Sequence, residues 1–294
     1  MSQPDHYRLL HRLRVRWSEV DMQNIVFNAH YLAYLDVAIT EYWRAAALPF
    51  AQAMEKLQGD MVVRKATVDF HRSARMDDWL DVGLRFAKAG RSSLVFEGGI
   101  FRGNELLASG ELLYVFTTPQ ARASQPVPAE LLTCLQAFED QQPMTHLHTG
   151  DWAALEALSM PVREQVFAAE LGIASDMMSD HTDHDAFHAV LTNRLGQPLA
   201  TGRLVRHGPV ATVGRLAVLH PMRGQGLGEE VLTALVAHAR SQGCAEVTLH
   251  AQQNAEAFYR HQGFVPTGLP YDEVGIPHQT MVLHLQPPEL AHGA

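Results

Sequence analysis

Between Val62 and Phe86 apolar and polar residues alternate through two successive segments, and this period of two constrains the first half more than anything else in the chain. Val62, Arg64, Ala66, Val68 and Phe70 alternate with polar partners, and Leu80 to Phe86 alternates throughout. Leu94–Phe101 and Leu106–Phe116 are apolar-rich segments that read as further strands on either side of the turn Arg102-Gly103-Asn104. Successive strand side chains point to opposite faces, so these segments read as half-buried strands, and their short links make them antiparallel neighbours. Ahead of them Leu32, Leu35, Ile39, Trp43 and Ala46 recur at helical spacing, with Asp36, Thr40, Glu41 and Arg44 mostly off that stripe. The helix is expected to stop before Pro49. The first half therefore reads as a strand, one long helix and four strands: an antiparallel sheet with a helix to cover it.

The Pro/Gln/Ser/Ala stretch from Pro119 to Pro128 ends the last of these strands, and a short amphipathic piece, Leu131–Phe138, follows. Gln141 to Gly150 is polar and His-rich and contains Pro143, so the domain boundary is placed there, with domains at 1–140 and 150–294. A length of 294 residues agrees with two domains, at roughly one per 150 residues. Beyond the boundary the pattern mixes types: helix-like sequence at Val162–Leu171, then strands at His188–Thr192 and Leu199–Val205. A strand at Val213–Leu219 runs into a glycine-rich loop and a helix to about Gln242. A strand (Val247–His250), a helix (Ala255–His261) and a last strand (Met281–Leu285) complete an α/β layout with a mixed sheet. The chain as a whole is expected to be α+β.

A formal net charge of −9 argues against the broad basic face that nucleic-acid binding needs. Cys134 and Cys244 stand apart with no CxxC spacing, so neither a disulfide framework nor a zinc knuckle is expected. The first fifteen residues show no apolar h-region, and no apolar run approaches the ~18 residues of a membrane span. A cytoplasmic location with no membrane partner is the expectation.

The stretch Met222-Arg223-Gly224-Gln225-Gly226-Leu227-Gly228 follows a strand and opens a helix. Glycines at alternate positions leave backbone N–H groups and the positive helix end around one point, a cradle for an anion. A P-loop requires G-x-x-x-x-G-K-S/T, and no lysine is present here. A dinucleotide fingerprint, G-x-G-x-x-G, meets Glu229 where its last glycine belongs. Spacing removes both nucleotide readings. The run Val218–Gly228 instead resembles the acetyl-CoA pyrophosphate loop of the GNAT N-acetyltransferases, R/Q-x-x-G-x-G/A, on Arg223, Gly224, Gln225, Gly226, Leu227 and Gly228. The resemblance implies that these N–H groups hold the CoA pyrophosphate. It also implies that the strand before the loop, with Leu216 and Val218, pairs with the pantetheine and polarises the thioester.

Asn254-Ala255-Glu256-Ala257-Phe258-Tyr259, followed by Gly263-Phe264, is similar to the closing signature of the same family in slightly compressed form. By that resemblance Asn254 belongs to the cofactor site and Tyr259 is the general acid for the leaving CoA thiolate. A plain core aromatic is the alternative for Tyr259. Segments spread over Pro161 to Leu285 further resemble the ElaA/YjcF-type branch of these proteins. Glu273, His278 and His250 lie in its characteristic segments and are candidate bases for the acceptor amine, each with a structural role as the alternative. Asp180, Asp183 and His188 also fall in that branch pattern, so the cluster Asp180–His188 is read as metal-free although Asp and His suit zinc.

Arg16 to Asp36, R-W-S-E-V-D-M-Q-N-I-V-F-N-A-H-Y-L-A-Y-L-D, is the other informative stretch. It resembles the hotdog-fold acyl-CoA thioesterases of the 4-hydroxybenzoyl-CoA thioesterase/YbgC type, D-x-D-x-x-G-h-V-x-N-x-x-Y-L, over about residues 8 to 138. The resemblance makes Asp21 the catalytic carboxylate, acting as nucleophile or as base for water. The N-terminus of the following helix would then offer N–H donors to the oxyanion. Two positions depart from the pattern: Asn24 stands where the family has glycine, and Glu19 where its first aspartate is commoner. Asparagine tolerates left-handed φ better than most residues, so the turn can survive. Such domains pair with further copies, which implies a homodimer or homotetramer.

Three functions follow from these resemblances. The first is a bifunctional enzyme that hydrolyses acyl-CoA thioesters in its N-terminal half and transfers an acetyl or acyl group from CoA to an amine in its C-terminal half, with CoA esters as substrates and no metal. The second is an acetyltransferase whose hotdog domain only dimerises or senses acyl-CoA. The third is a non-enzymatic CoA-binding regulator.

Overall fold

The computed structural model describes residues 3–273 and 275–285 and divides the chain into two units, 1–144 and 145–294. The first holds β1 (Leu9–Arg14), α1 (Asn28–Ala45), α2 (Phe50–Lys56), β2 (Asp60–Phe70), β3 (Trp79–Ala89), β4 (Ser93–Arg102), β5 (Glu105–Thr117) and α3 (Ala129–Glu139). Its five strands form one antiparallel sheet in the order β1-β3-β4-β5-β2. This is the hotdog arrangement, an antiparallel sheet around one long helix.

The face that α1 buries is wider than its aliphatic stripe. Tyr31, Tyr34, Leu35, Ala38, Ile39, Tyr42 and Trp43 are buried, whereas Leu32 is 41% exposed. Tyrosines carry the inner face because each buried hydroxyl has a partner. The Tyr31 hydroxyl accepts from the Ala74 N–H (2.8 Å), and the Tyr42 hydroxyl donates to Glu139 of α3 (2.6 Å). Leu35 sits over Gly98 and Gly110, a cross-strand pair of β4 and β5. A β-carbon at either glycine would lie 2.4 or 2.7 Å from the Leu35 methyls, far inside van der Waals contact, so the helix can approach the sheet only where both residues lack side chains. The alternation read in β2 does not bury it. β2 is an edge strand with Val63 and Phe70 more than half exposed, and its register shifts at Val63/Lys65.

The second unit starts inside the polar stretch where the domain boundary is placed: Thr145–Gly150 is strand β6, paired with β7. Then come α4 (Trp152–Arg163), β7 (Phe187–Asn193), β8 (Pro198–His207), β9 (Val210–Val218), α5 (Leu227–Ser241), β10 (Glu246–Gln252), α6 (Glu256–His261), β11 (Val265–Pro266), β12 (Tyr271–Glu273) and β13 (Ile276–His284). The helix expected at Val162–Leu171 begins ten residues earlier, at Trp152, and continues beyond Arg163 as a wide-turn segment, Glu164–Glu170. Pro161 lies inside it, and its missing N–H accounts for the loosened ladder.

The sheet runs β11-β13-β10-β9-β8-β7-β6, with β12 on β13, and is antiparallel except between β9 and β10. Thr201 hydroxyl donates to Ser159 of α4, while the next residue, Gly202, faces Val231 and Leu235 of α5. Consecutive strand residues point to opposite sides, so α4 and α5 cover opposite faces of this mixed sheet.

Candidate functional site

In the first unit Asp21 occupies a closed turn. Its N–H donates to Ile25 O (2.9 Å), its carbonyl accepts from the Asn24 N–H (2.9 Å), and its Oδ1 accepts from the Gln23 N–H (2.8 Å). Asn24 adopts φ 62°, the left-handed conformation that a glycine would supply. A bridge between Val20 and Val26 and the Phe27 N–H donating to Glu19 O (2.9 Å) lead the turn into α1 one residue later. Asp21 is half-buried, and Trp17, Met22 and Phe27 beside it expose large apolar surfaces.

Glu19 has a different task. It is 3% exposed and accepts from the Arg16 N–H (2.8 Å), the Arg16 Nε (2.8 Å) and the Tyr34 hydroxyl (2.8 Å). Burial alone would raise its pKa, but the Arg16 backbone bond, the Tyr34 hydroxyl and the Arg16 guanidinium outweigh it and hold the carboxyl below its ordinary range. Glu19 is an ionised anchor that ties the Asp21 turn to α1 through Tyr34.

In the second unit β9 and β10 pair only from Val210↔Glu246 to Val213↔Leu249. Beyond that point β9 keeps its bonds to β8, while β10 continues against β13. The 214–218 half of β9, with Leu216 and Val218, thus has an edge with no pairing to β10. This divergence opens onto the glycine loop. Gly224 and Gly226 have φ 80° and 79°, and neither has an atom within 4 Å of a β-carbon's place, so conformation and not crowding demands glycine there. Gly226 caps α5, whose first intrahelical bond is Glu230 N–H to Gly226 O (3.1 Å). The N–H groups of Leu227, Gly228 and Glu229 precede that bond and lie at the positive helix end. The Leu227 side chain is buried, which leaves its N–H as the group it can offer, and Gln225 is an exposed loop residue between the two left-handed glycines.

The exposed Arg223 guanidinium is engaged by the protein's own groups, donating to both carboxylate oxygens of Glu170 (2.7 and 2.8 Å) and to Val218 O (3.2 Å). Glu170, at the end of the wide-turn helix, was not legible as a site residue because 53 positions separate it from Arg223. Gly226→Glu puts a β-carbon at φ 79° and a carboxylate among N–H donors. It is expected to weaken acetyl-CoA binding about 100-fold by calorimetry, from left-handed strain plus lost charge-assisted bonds. Undiminished affinity would remove the loop from the site.

α6 approaches the same place: a β-carbon at Gly228 would touch Val218 and Phe258 at 3.4 and 3.6 Å. Tyr259, next to Phe258, is buried against the Phe258 and Phe264 rings at 5.0 and 6.0 Å, and burial pushes its phenol up to about 12. Asn254 is exposed in the turn between β10 and α6.

On β10 the buried Val247, Leu249 and Ala251 alternate with Thr248, His250 and Gln252. Register pairs His250 with Thr280, Gln252 with His278 and Tyr271 with His278, so these residues share one face. The Tyr271 hydroxyl and His250 Nδ1 are 2.5 Å apart, and the Tyr271 ring lies nearly parallel to His278 at 6.0 Å. His278 Nδ1 is 2.8 Å from Ile276 O. A carbonyl only accepts, so Nδ1 carries the proton and the neutral ring has its lone pair on Nε2. The His250 contact is with a hydroxyl, which fixes no tautomer. The side chain of Glu273 lies outside the described residues.

Asp180 and Asp183, which the sequence grouped with neighbouring histidines, are bound by arginines. Asp183 accepts from Arg163 (3.0 and 3.1 Å) and Arg203 (2.9 Å), and Asp180 from Arg203 (2.8 and 3.0 Å) and Arg215 (3.2 Å). His188 is buried, its Nε2 bonded to Asp183 O (2.9 Å).

Residues 158–285 match the family model described as an acetyltransferase (GNAT) domain, and residues 23–109 match that of the thioesterase superfamily, which begins two positions past Asp21. The chain is 31% identical to the acyl-CoA thioester hydrolase YbgC of Escherichia coli, over 41% of this chain and 90% of that protein. It is 29% identical to the uncharacterized N-acetyltransferase YjcF of Bacillus subtilis, over 41% of this chain and 86% of that protein. Among solved structures, one titled as a putative N-acetyltransferase from Lactobacillus plantarum is 31% identical, covering 49% of this chain and all of that one with a TM-score of 0.46. This chain thus belongs to two families in succession, a hotdog domain of the thioesterase superfamily followed by a GNAT acetyltransferase domain.

Proposed function

We propose that the chain is a bifunctional CoA-thioester enzyme, hydrolysing acyl-CoA at Asp21 and transferring an acetyl group from CoA to an amine at the β9–β10 divergence. The observation that supports this reading is that the two positions the resemblances assign to CoA chemistry stand in well-formed local geometry: Asp21 in its closed turn, and the left-handed glycines at the head of α5. In the first site Asp21 takes the proton of an attacking water, or itself attacks the thioester carbonyl to form a mixed anhydride that water then hydrolyses. The C–S bond breaks, and the products are a carboxylate and the free CoA thiol. N–H groups at the start of α1 would face the oxyanion.

In the second site the loop N–H groups of 224–229 hold the pyrophosphate and the free edge of β9 at Leu216 and Val218 receives the pantetheine. Arg223 braces the loop through Glu170. The acceptor nitrogen attacks the acetyl carbonyl and loses its proton to His278 Nε2, the ring nitrogen whose lone pair the Ile276 bond leaves available. Tyr259 donates its phenolic proton to the departing thiolate.

The edge strand β2 supports a homodimer or homotetramer, since a long edge with exposed apolar residues such as Val63 and Phe70 invites pairing with a second copy. Among the described residues no helix is long and apolar enough to cross a membrane, and the two buried cysteines suit the cytoplasm.

The test uses the whole chain. Free thiol is followed with a panel of acyl-CoAs and no amine, then acetyl-CoA is offered with a panel of primary amines and the products are weighed by mass spectrometry. Thiol without amine supports hydrolysis, and acetylated amine supports transfer. Tyr259→Phe is expected to lower kcat for transfer about 100-fold or more with little change in KM. Because the phenol acts while protonated, its contribution is present below its pKa of about 12 and lost only above it. No falling limb from Tyr259 is therefore expected in the wild-type rate profile through neutral and mildly alkaline pH. A Phe variant with wild-type kcat would return Tyr259 to the core.

A further inference from the structure

The strand that the transferase reading assigns to pantetheine is held in an unusual shape. Between β8 and β9 the register passes from Thr201↔Ala217 to Arg203↔Gly214, so β9 uses one more residue than β8 over this interval. The irregularity contains Arg215 at φ 53°, a left-handed conformation costly for a residue with a β-carbon. Arg215 lies two residues past Val213, the last residue that pairs with β10, and immediately before Leu216. Something must hold Arg215 there.

We infer that Asp180 is a positioning residue for acetyl-CoA: its carboxylate staples the two strands that flank this bulge and so fixes the divergence of β9 from β10. Oδ1 and Oδ2 accept from Arg203 on β8 at 3.0 and 2.8 Å, and Oδ2 also accepts from Arg215 on β9 at 3.2 Å. The same Arg215 nitrogen donates to Met177 O (2.9 Å), so the 175–180 segment grips the bulge by side chain and by backbone. The staple is built to stay charged. Asp180 caps its own short turn, accepting from the Thr182 N–H at 2.9 Å and from the Thr182 hydroxyl. Arg203 first, and then Thr182, holds its carboxyl well below the ordinary range against the opposing effect of burial.

Asp183 deeper in the cluster is fully buried and serves Arg163 and Arg203. Asp180 is about one-third exposed and touches the bulge itself. The two aspartates therefore separate a folding role from a positioning one. A rigid divergence lowers the ordering cost of binding a long flexible ligand along β9, which places the effect in affinity.

The inference rests on the acetyl-CoA reading of this site, and a double-mutant cycle separates the two. Calorimetric Kd for acetyl-CoA is measured for the full chain as wild type, Asp180→Asn, Arg215→Gly and the double variant, with thermal melting as the fold control. Asp180→Asn is expected to raise Kd about tenfold, the scale of local strain left unsupported, and to raise KM for acetyl-CoA with little change in kcat. Glycine at position 215 adopts φ 53° without support, so in that background the Asp180→Asn step is expected to cost less than about twofold. A coupled cycle of this kind is not what general loosening of the domain produces. Equal Kd for wild type and Asp180→Asn overturns the inference alone, as does an undiminished tenfold loss in the glycine background. No acetyl-CoA binding by the wild type overturns the reading of the site and this inference with it.

Discussion

Replacing Asp21 by asparagine is expected to reduce acyl-CoA hydrolysis by about 1000-fold while leaving acetyl transfer in place, because the charge and basicity go and the turn stays. The Asn amide oxygen can accept from the Gln23 N–H as Asp21 Oδ1 does at 2.8 Å, and the bonds from the Asp21 N–H and to its carbonyl are backbone. Asp21→Ala removes that acceptor as well. It should match the asparagine variant in rate and lose in addition about 1 kcal/mol of stability, the worth of one such bond. Thiol release with a set of acyl-CoAs reads the first effect and thermal melting the second. An asparagine variant that keeps more than about a tenth of wild-type hydrolysis is incompatible with nucleophile and base roles alike.

The largest expected effect on stability is at Asp183. Its carboxylate is fully buried and takes bonds from Arg163, itself fully buried, and from Arg203. Asp183→Asn keeps the shape but leaves Arg163 as an uncompensated buried charge and Arg203 with Asp180 alone, for which about 3–5 kcal/mol of destabilisation is expected. That is a large part of the roughly 5–15 kcal/mol that holds a domain folded. Acetyl-CoA binding should disappear at temperatures where acyl-CoA hydrolysis persists, since the first unit has its own core around α1. A variant that melts with the wild type would make the pair dispensable. The pH dependence has a definite sign. Asp180 and Asp183 both have folded pKa values below their ordinary ones, so their stabilisation is complete above the ordinary aspartate range. It is lost as pH falls through that range toward the lowered values. The second unit should therefore be acid-labile.

Much of this molecule could be read from local pattern. The strand β3 follows from strict alternation, β4 and β5 from apolar segments on either side of the Arg102-Gly103-Asn104 turn, and α5 from an apolar stripe opened by glycines. Where reading and structure part, a tertiary fact intervenes. β2 has the alternation of a half-buried strand, but among the described residues no strand pairs with its outer edge. Leu32 falls on the aliphatic stripe of α1 and stands exposed, because the tyrosines beside it find hydroxyl partners on Ala74, Glu19 and Glu139. The polar stretch at 145–150, where the sequence marks only the domain boundary, is strand β6, since backbone pairing to β7 asks little of its side chains.

The site residues divide along the same line. The sequence by itself determined the left-handed turn at Asn24, the glycine cradle of α5 and the succession of two CoA-type domains. The first two depend on backbone preferences and spacings within a few residues, and the third on resemblance to two families. Only the tertiary structure decided that Arg223 belongs to Glu170, that Glu19 is an anchor, that His278 presents Nε2, and that Asp180 grips the β9 bulge. Ion pairs and tautomers are settled by groups brought together from positions tens of residues apart, or by one carbonyl's direction, and periodicity carries neither.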